Sequence, residues 1–115
     1  MIDRVAASLG NYMDLLSVRQ KLVASNIANA ATPGYKTKDI DFQFELQSQL
    51  GGETTTPAQV SEVKGLSTHN DGNNVSLDRE GRLLSENALR FNVASQLWRS
   101  KIRVLRTAVQ DGRNG

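Results

Sequence analysis

The chain has 115 residues, of which 38% are hydrophobic and 5% aromatic, and 14 Lys and Arg against 12 Asp and Glu leave a formal net charge of +2. At roughly 150 residues per domain this is one domain at most. The absence of cysteine excludes disulfides and thiolate metal sites, and the lack of any apolar run near ~18 residues disfavours a transmembrane helix. Residues 1–31 hold 18 apolar residues and 77–109 hold 15, while 32–76 hold only 11. That distribution predicts two amphipathic ends around a polar middle and disfavours a large enzyme with a deep pocket.

In chain order, the opening Met1-Ile2-Asp3-Arg4 carries an early acid and no basic n-region, so no cleavable secretory signal is expected. Val5, Leu9, Tyr12, Leu16, Val23, Ile27 and Ala30 then recur at mostly three- and four-residue steps, with Arg19 filling the gap. This spacing predicts a helix over 3–31, the core of a first segment spanning 1–31. Thr32-Pro33-Gly34 ends it: proline biases Thr32 out of the helical region, and Gly34 suits the positive φ of a turn.

A second segment, 32–75, reads as a turn, a short strand or helix and a polar loop. Asp39 to Phe44 alternates polar and apolar residues, which would put Ile40, Phe42 and Phe44 on one strand face. A brief helix through Ile40, Phe44, Leu46 and Leu50 is the alternative, and an extended stretch passing into a helical turn near 43–50 accommodates both. Gln59 to Val63 suits one arm of a short β-hairpin. Residues 51–74 otherwise read as a loop or mobile flap, with a turn signal at Asn70-Asp71-Gly72-Asn73.

The third segment, 76–115, should be a second long helix with Ser76 as N-cap and Asp78 and Glu80 in its first turn. Leu84, Ala88, Phe91, Ser95, Trp98, Ile102, Leu105 and Val109 step by four and three throughout, an unbroken heptad seam that Gly112 should end. The fold class expected is mainly α: two long terminal helices forming an antiparallel coiled coil, so that 1–31 and 76–115 make one core. Its faces would be Val5, Leu9, Tyr12, Leu16 and Val23 against Leu84, Phe91, Trp98, Ile102 and Leu105, each buried seam position contributing ~1.5–3 kcal/mol. Leu15, Leu22, Leu89 and Leu97 would stay partly exposed.

Charge is segregated along the chain. Asp39 to Asp78 contains seven acids and one base, Lys64, while Asn87 to Gln110 contains five bases and no acid. An acidic centre and a basic helix could attract one another within a subunit or between subunits. Arg99, Arg103 and Arg106 beside Trp98 would also suit a nucleic-acid adaptor. Trp98, however, falls on the heptad seam, and the acidic middle would repel phosphate, so no nucleic-acid partner is expected.

Catalytic patterns are poor. His69 is the only histidine and has no companion ligand at helical spacing. Asp39 and Asp41 lack a nucleophile or an apolar pocket to separate their pKa values. No glycine loop suits a phosphate. Neither catalysis nor a cofactor, metal or small-molecule ligand is expected.

Ser25-Asn26-Ile27-Ala28-Asn29-Ala30-Ala31 admits two readings, helix fraying with asparagine capping or small residues with buried amides that fix helix register. The stretch Ala24 to Lys36, with Asn26-Ile27-Ala28-Asn29 followed by Thr32-Pro33-Gly34-Tyr35, resembles the N-terminal signature of the axial proteins of the bacterial flagellum. Asp39-Ile40-Asp41-Phe42 with Leu46, then Asp71-Gly72-Asn73-Asn74-Val75 with Asp78, Arg79, Glu80, Asn87 and Phe91, resembles the proximal rod group within that family. The closely related second proximal rod protein usually carries a Glu-Ala-x-Arg-x-Tyr-Glu-Ala-Asn type segment, absent here. The middle, 43–70, is short for the group.

The resemblance implies a structural subunit that assembles head to tail around a central export channel, with folding coupled to assembly. It implies copies of itself, other rod subunits, membrane-ring and export-gate proteins and the flagellar type III export apparatus as partners, and a periplasmic rod location reached without a cleavable signal. It assigns Asn26, Ile27, Asn29, Thr32, Pro33, Gly34, Tyr35 and Asn87 to assembly contacts, beside the seam residues.

Overall fold

The computed structural model describes residues 2–50 and 56–114. Helix α1 spans Ile2–Ala28, strand β1 Lys38–Ile40, helix α2 Phe42–Leu50, strand β2 Val60–Glu62 and helix α3 Leu77–Asn114. The Gly51–Thr55 part of the expected loop, with its Gly51-Gly52 pair, and the end residues Met1 and Gly115 lie outside the described residues. The molecule is elongated, 70 × 27 × 16 Å. The architecture is mainly α, with the two terminal helices packed on one another and a two-stranded sheet between them in sequence. Among the described residues, no helix is long and apolar enough to cross a membrane.

Helix α1 stops three residues short of the expected Ala31. The backbone N–H of Ala30 bonds to Ile27 O at 3.2 Å and that of Thr32 to Asn29 O at 3.0 Å, so the chain leaves through tightened turns. The Asn29 carboxamide donates to Ser25 O at 2.8 Å, satisfying one carbonyl that the ending helix would orphan. Helix α2 begins at Phe42 because Asp41 caps it: its Oδ1 accepts the Phe44 N–H at 3.2 Å. That cap overrides the alternation read from Asp39 to Phe44. Ile40 and Phe42 are buried, whereas Phe44 sits on α2 and is exposed.

Strand β2 pairs antiparallel with β1, with Asp39 opposite Ser61, and the Val63 N–H continues the ladder to Thr37 O at 2.9 Å. At the start of α3 the Ser76 hydroxyl accepts the Arg79 N–H at 3.2 Å, the expected N-cap. The helix does not end at Gly112 but runs on to Asn114. Glycine in a helix costs about 1 kcal/mol relative to alanine, which weakens a helix without stopping it.

The core departs from the heptad expectation. Leu15, Leu16, Ile40 and Phe42 form the main buried cluster, with Tyr12, Val18, Leu22 and Leu46 packed on it. Tyr12 meets the Phe42 ring edge-on at 5.8 Å, and the Arg19 guanidinium lies over the same ring at 5.6 Å. Leu15, expected to be partly exposed, is therefore core, because α2 covers a second face of α1. On α3 the buried residues are Glu80, Leu83, Asn87 and Ala94. Leu84, Phe91 and Trp98 keep 39%, 38% and 37% of their surface exposed, and Val5 on α1 keeps 43%. The heptad seam is thus not the line along which α3 meets α1. Leu89 and Leu97 are exposed, as expected.

Candidate functional site

The centre of the molecule is polar. At the junction of α1, β1 and α3 the buried groups include Asn26, Thr37, Asp39, Asn73, Asn74 and Glu80. The 24 residues of α1 before Asn26 contain no proline, and the unbroken helix carries it to its last full turn, facing β1 and the start of α3. Its Nδ2 donates to Lys38 O at 2.9 Å and to Glu80 Oε1 at 2.6 Å. Its Oδ1 accepts from Lys38 N at 3.1 Å and from the Tyr35 hydroxyl at 2.9 Å. The carboxamide thus imitates a neighbouring strand for Lys38, and all four of its hydrogen-bonding sites are used.

Asn73 and Asn74 perform the same service for the loop ends. Asn73 Nδ2 donates to Asn29 O at 2.9 Å and Thr32 O at 2.8 Å, while its Oδ1 accepts the Val75 N–H at 2.8 Å. Asn74 Oδ1 accepts from Thr37 N at 2.7 Å and from the Thr37 hydroxyl at 2.8 Å. Gly34 N donates to Asp71 O at 2.9 Å, and Lys36 Nζ donates to Gly72 O. Gly34 and Gly72 take φ of +77° and +87°, and a Cβ on Gly72 would stand 3.4 Å from Gly34 Cα. Residues 71–75 are therefore a fitted clasp against the α1 exit, not the flap that their composition suggested.

Four charges cross the same junction. Arg19 grips Asp39 with both Nε, at 3.2 Å, and Nη2, at 3.0 Å. Arg79 Nη2 reaches Asp39 Oδ2 at 2.6 Å, and its Nη1 reaches Glu80 Oε2 at 2.6 Å. Burial pulls the Arg79 pKa down, but the hydrogen bonds to Glu80 and Asp39 outweigh it and raise the pKa above the ordinary arginine value. The cluster pairs two bases with two acids, so it resides in the interior without net charge. The acid Asp39 thus finds its bases on α1 and the first turn of α3, not on the basic segment 90–106.

The remaining expected site residues are dispersed between the core, the helix flanks and the turn. Leu9, Tyr12, Ile27, Asn29, Tyr35, Ile102 and Leu105 are half-buried, Leu16 and Val23 are buried, and Thr32, Pro33 and Gly34 are exposed at the turn. Asn87 is buried between α1 and α3, beside a groove of about 400 Å³ lined by Leu16, Ser17, Gln20, Ala88, Phe91 and Asn92. Gln20 Oε1 and Asn87 Nδ2 have no hydrogen-bond partner among the described residues. Sequence reading missed the Arg19–Asp39–Arg79–Glu80 cluster. Its signal was the charged Arg19 standing in an otherwise apolar stripe of α1. No group of side chains suited to a metal ion occurs among the described residues.

Residues 13–36, which contain Arg19, Asn26, Asn29 and the turn to Tyr35, match the family described as flagella basal body rod protein. The flagellar basal body rod protein FlgB of Salmonella typhimurium is 31% identical over 97% of this chain and 99% of its own length. FlgB of Escherichia coli is 30% identical over the same shares, and FlgB of Cereibacter sphaeroides is 37% identical over 84% of this chain and 86% of its own. A chain with paired terminal helices and this clasp belongs to the flagellar basal body rod proteins. Its relatives place it with the FlgB type, a structural component of the flagellar basal body.

Proposed function

We propose that this chain is a structural subunit of the proximal rod, assembling head to tail into a helical tube around the export channel and performing no catalysis. The observation that carries this reading is the exposed Leu84–Phe91–Trp98 row on α3. A monomer that leaves two aromatic rings and a leucine in water along one helix gains by covering them with a neighbour. A head-to-tail contact, in which one surface meets a different surface of the next copy, extends indefinitely rather than closing as a dimer.

On this reading the clasp sets the angle between the two helices, while Asn26, Ile27, Asn29, Thr32, Pro33, Gly34, Tyr35 and Asn87 contribute through the exit turn and the interhelical groove. Val5, Leu9, Ile102 and Leu105 lie toward the other end of the helix pair, where neighbouring subunits would cover them. The partners are copies of this chain, other rod subunits and the membrane-ring and export-gate proteins beneath the rod. The flagellar type III apparatus would deliver the chain to the periplasm without a cleavable signal.

The test is Trp98→Ala in the native bacterium. Rod assembly and motility should be lost while the variant is still exported, because a half-exposed ring contributes little to the monomer. Normal motility in that strain overturns the proposal.

A further inference from the structure

The two ends of the molecule differ in shape. The bond between Asn26 and Glu80 sets these residues level, so in the antiparallel pair Ile2 stands level with roughly residue 104. Residues 105–114 of α3 therefore overhang the start of α1 and leave a step roughly 15 Å deep. At the opposite end the molecule projects. Helix α3 accounts for roughly 57 Å of the 70 Å length, and the remaining 13 Å or so belongs to the α1 exit turn and the clasp. Step and projection match in length.

The overhang is apolar on the side where α1 is missing. At 100° per residue, Val104, Leu105, Ala108 and Val109 centre within roughly 10° of the buried line of Leu83, Asn87 and Ala94. They continue the side of α3 that faces α1, yet Val104 and Val109 are about half exposed or more. A segment standing in line with α1 would complete this side. The exit turn of a second copy, shifted along the long axis by one α3 length, stands there. A shift of roughly 57 Å brings its exposed residues 31–34 level with the overhang and keeps the two α3 helices from overlapping.

Charge favours the same partner. Arg106 and Arg113 border the apolar face on its Val109 side and have no ion-pair partner among the described residues. A helix C-terminus carries partial negative charge, and α1 has no basic residue in its last turn. Two overhangs laid together would instead oppose their arginines. An interface of about 800 Å² takes 20–30 residues a side, so a ten-residue overhang covers on the order of 300–400 Å², too little for an isolated dimer. The contact therefore operates in an assembly whose lateral contacts are also made.

We propose that the α3 overhang of one copy seats against the exit turn, residues 31–34, of the next copy, shifted along the long axis by about one α3 length. This rests on the rod-subunit reading and names the two ends that meet. The surfaces differ and lie at opposite ends, so the contact repeats from copy to copy.

The chain has no cysteine, so introduced thiols report alone. A chain carrying both Ala31→Cys and Val109→Cys replaces the native copy, and isolated basal bodies are treated with a short bis-maleimide. Within one chain the two positions lie roughly 50 Å apart, beyond its reach. A ladder of multimers is expected, with mass spectrometry finding residue 31 joined to residue 109, while each single variant stays monomeric. Adding Arg106→Glu and Arg113→Glu should lower the yield several-fold. Ala108→Cys in place of Val109→Cys repeats the test with a smaller change. Residue 31 joined to 31, an overhang thiol joined to its own counterpart, or no multimer in either double variant overturns the proposal. Failure of the rod reading shows separately, as motility in a strain lacking the chain.

Discussion

The Asn26 carboxamide donates to the Glu80 carboxylate across 2.6 Å, joining the last turn of α1 to the first turn of α3 over a separation of 54 residues. Glu80 is fully buried and Asn26 nearly so, which keeps the bond out of contact with bulk solvent. The terminal helices are thereby pinned at one end by an amide and a charge instead of by apolar packing.

Replacing Asn26 with leucine removes four hydrogen bonds and leaves the partly buried Lys38 N and O and one fully buried Glu80 oxygen without that partner. Each orphaned group costs about 1–3 kcal/mol, so Asn26→Leu should lower stability by roughly 2–5 kcal/mol. Urea unfolding followed by circular dichroism measures this. A change below about 0.5 kcal/mol would show that the amide is not structural.

Arg79 bridges two carboxylates with two different nitrogens, a geometry that a lysine ammonium cannot reproduce. Arg79→Lys keeps the charge yet should destabilise by about 1–3 kcal/mol. Because the partners raise the arginine pKa, its contribution is complete at every pH below the ordinary arginine value and is lost only as pH rises beyond it. Deprotonation of Arg79 therefore should not weaken the fold anywhere between neutrality and pH 10, and a loss over that range in wild type but not in the lysine variant would contradict the assignment.

Among the described residues three glycines have positive φ, but they differ in surroundings. Gly65 faces open space, whereas a Cβ on Gly72 would press on Gly34 Cα. Gly65→Ala should cost about 1–2 kcal/mol for the left-handed backbone alone. Gly72→Ala should cost more, since the clasp must also move away from the α1 exit. Thermal melts of the two variants compare them directly, and equal values would remove the close approach as a cause.

Leu15 and Leu97 separate folding from association. Leu15 is 1% exposed and Leu97 is 49% exposed. Leu15→Ala should cost about 2–5 kcal/mol through the cavity it leaves, whereas Leu97→Ala should stay within about 0.5 kcal/mol of wild type. Motility should fail in both strains, the first through an unstable subunit and the second through a lost contact.

No described residue of α3 beyond Ala94 is buried. Antiparallel pairing from Asn26 and Glu80 places Ile2 opposite roughly residue 104, so the last turns of α3 run past the end of α1. Amide exchange in the monomer should protect 80–94 strongly and 98–113 weakly, with the second segment becoming protected on assembly. Uniform protection along the whole of α3 in the monomer would argue against folding coupled to assembly.

Much was legible in the sequence by itself: two long helices, the Ser76 cap, the break at Pro33 and Gly34 and a short hairpin. These depend on local periodicity and backbone restriction, which act over a few residues and leave a mark at each position. Legible too was an apolar heptad on α3, but not what it faces. Whether Leu84, Phe91 and Trp98 meet α1 or solvent depends on the rotation of α3 about its axis. That rotation is set by Asn26 and Arg79 gripping Glu80 and Asp39, residues far apart in the chain. Only the tertiary structure decided it, because a hydrogen bond between positions 26 and 80 has no period to read. The packed middle followed for the same reason: Asn73 and Asn74 are turn formers by composition and become the clasp only when the α1 exit supplies the groups that complete their amides.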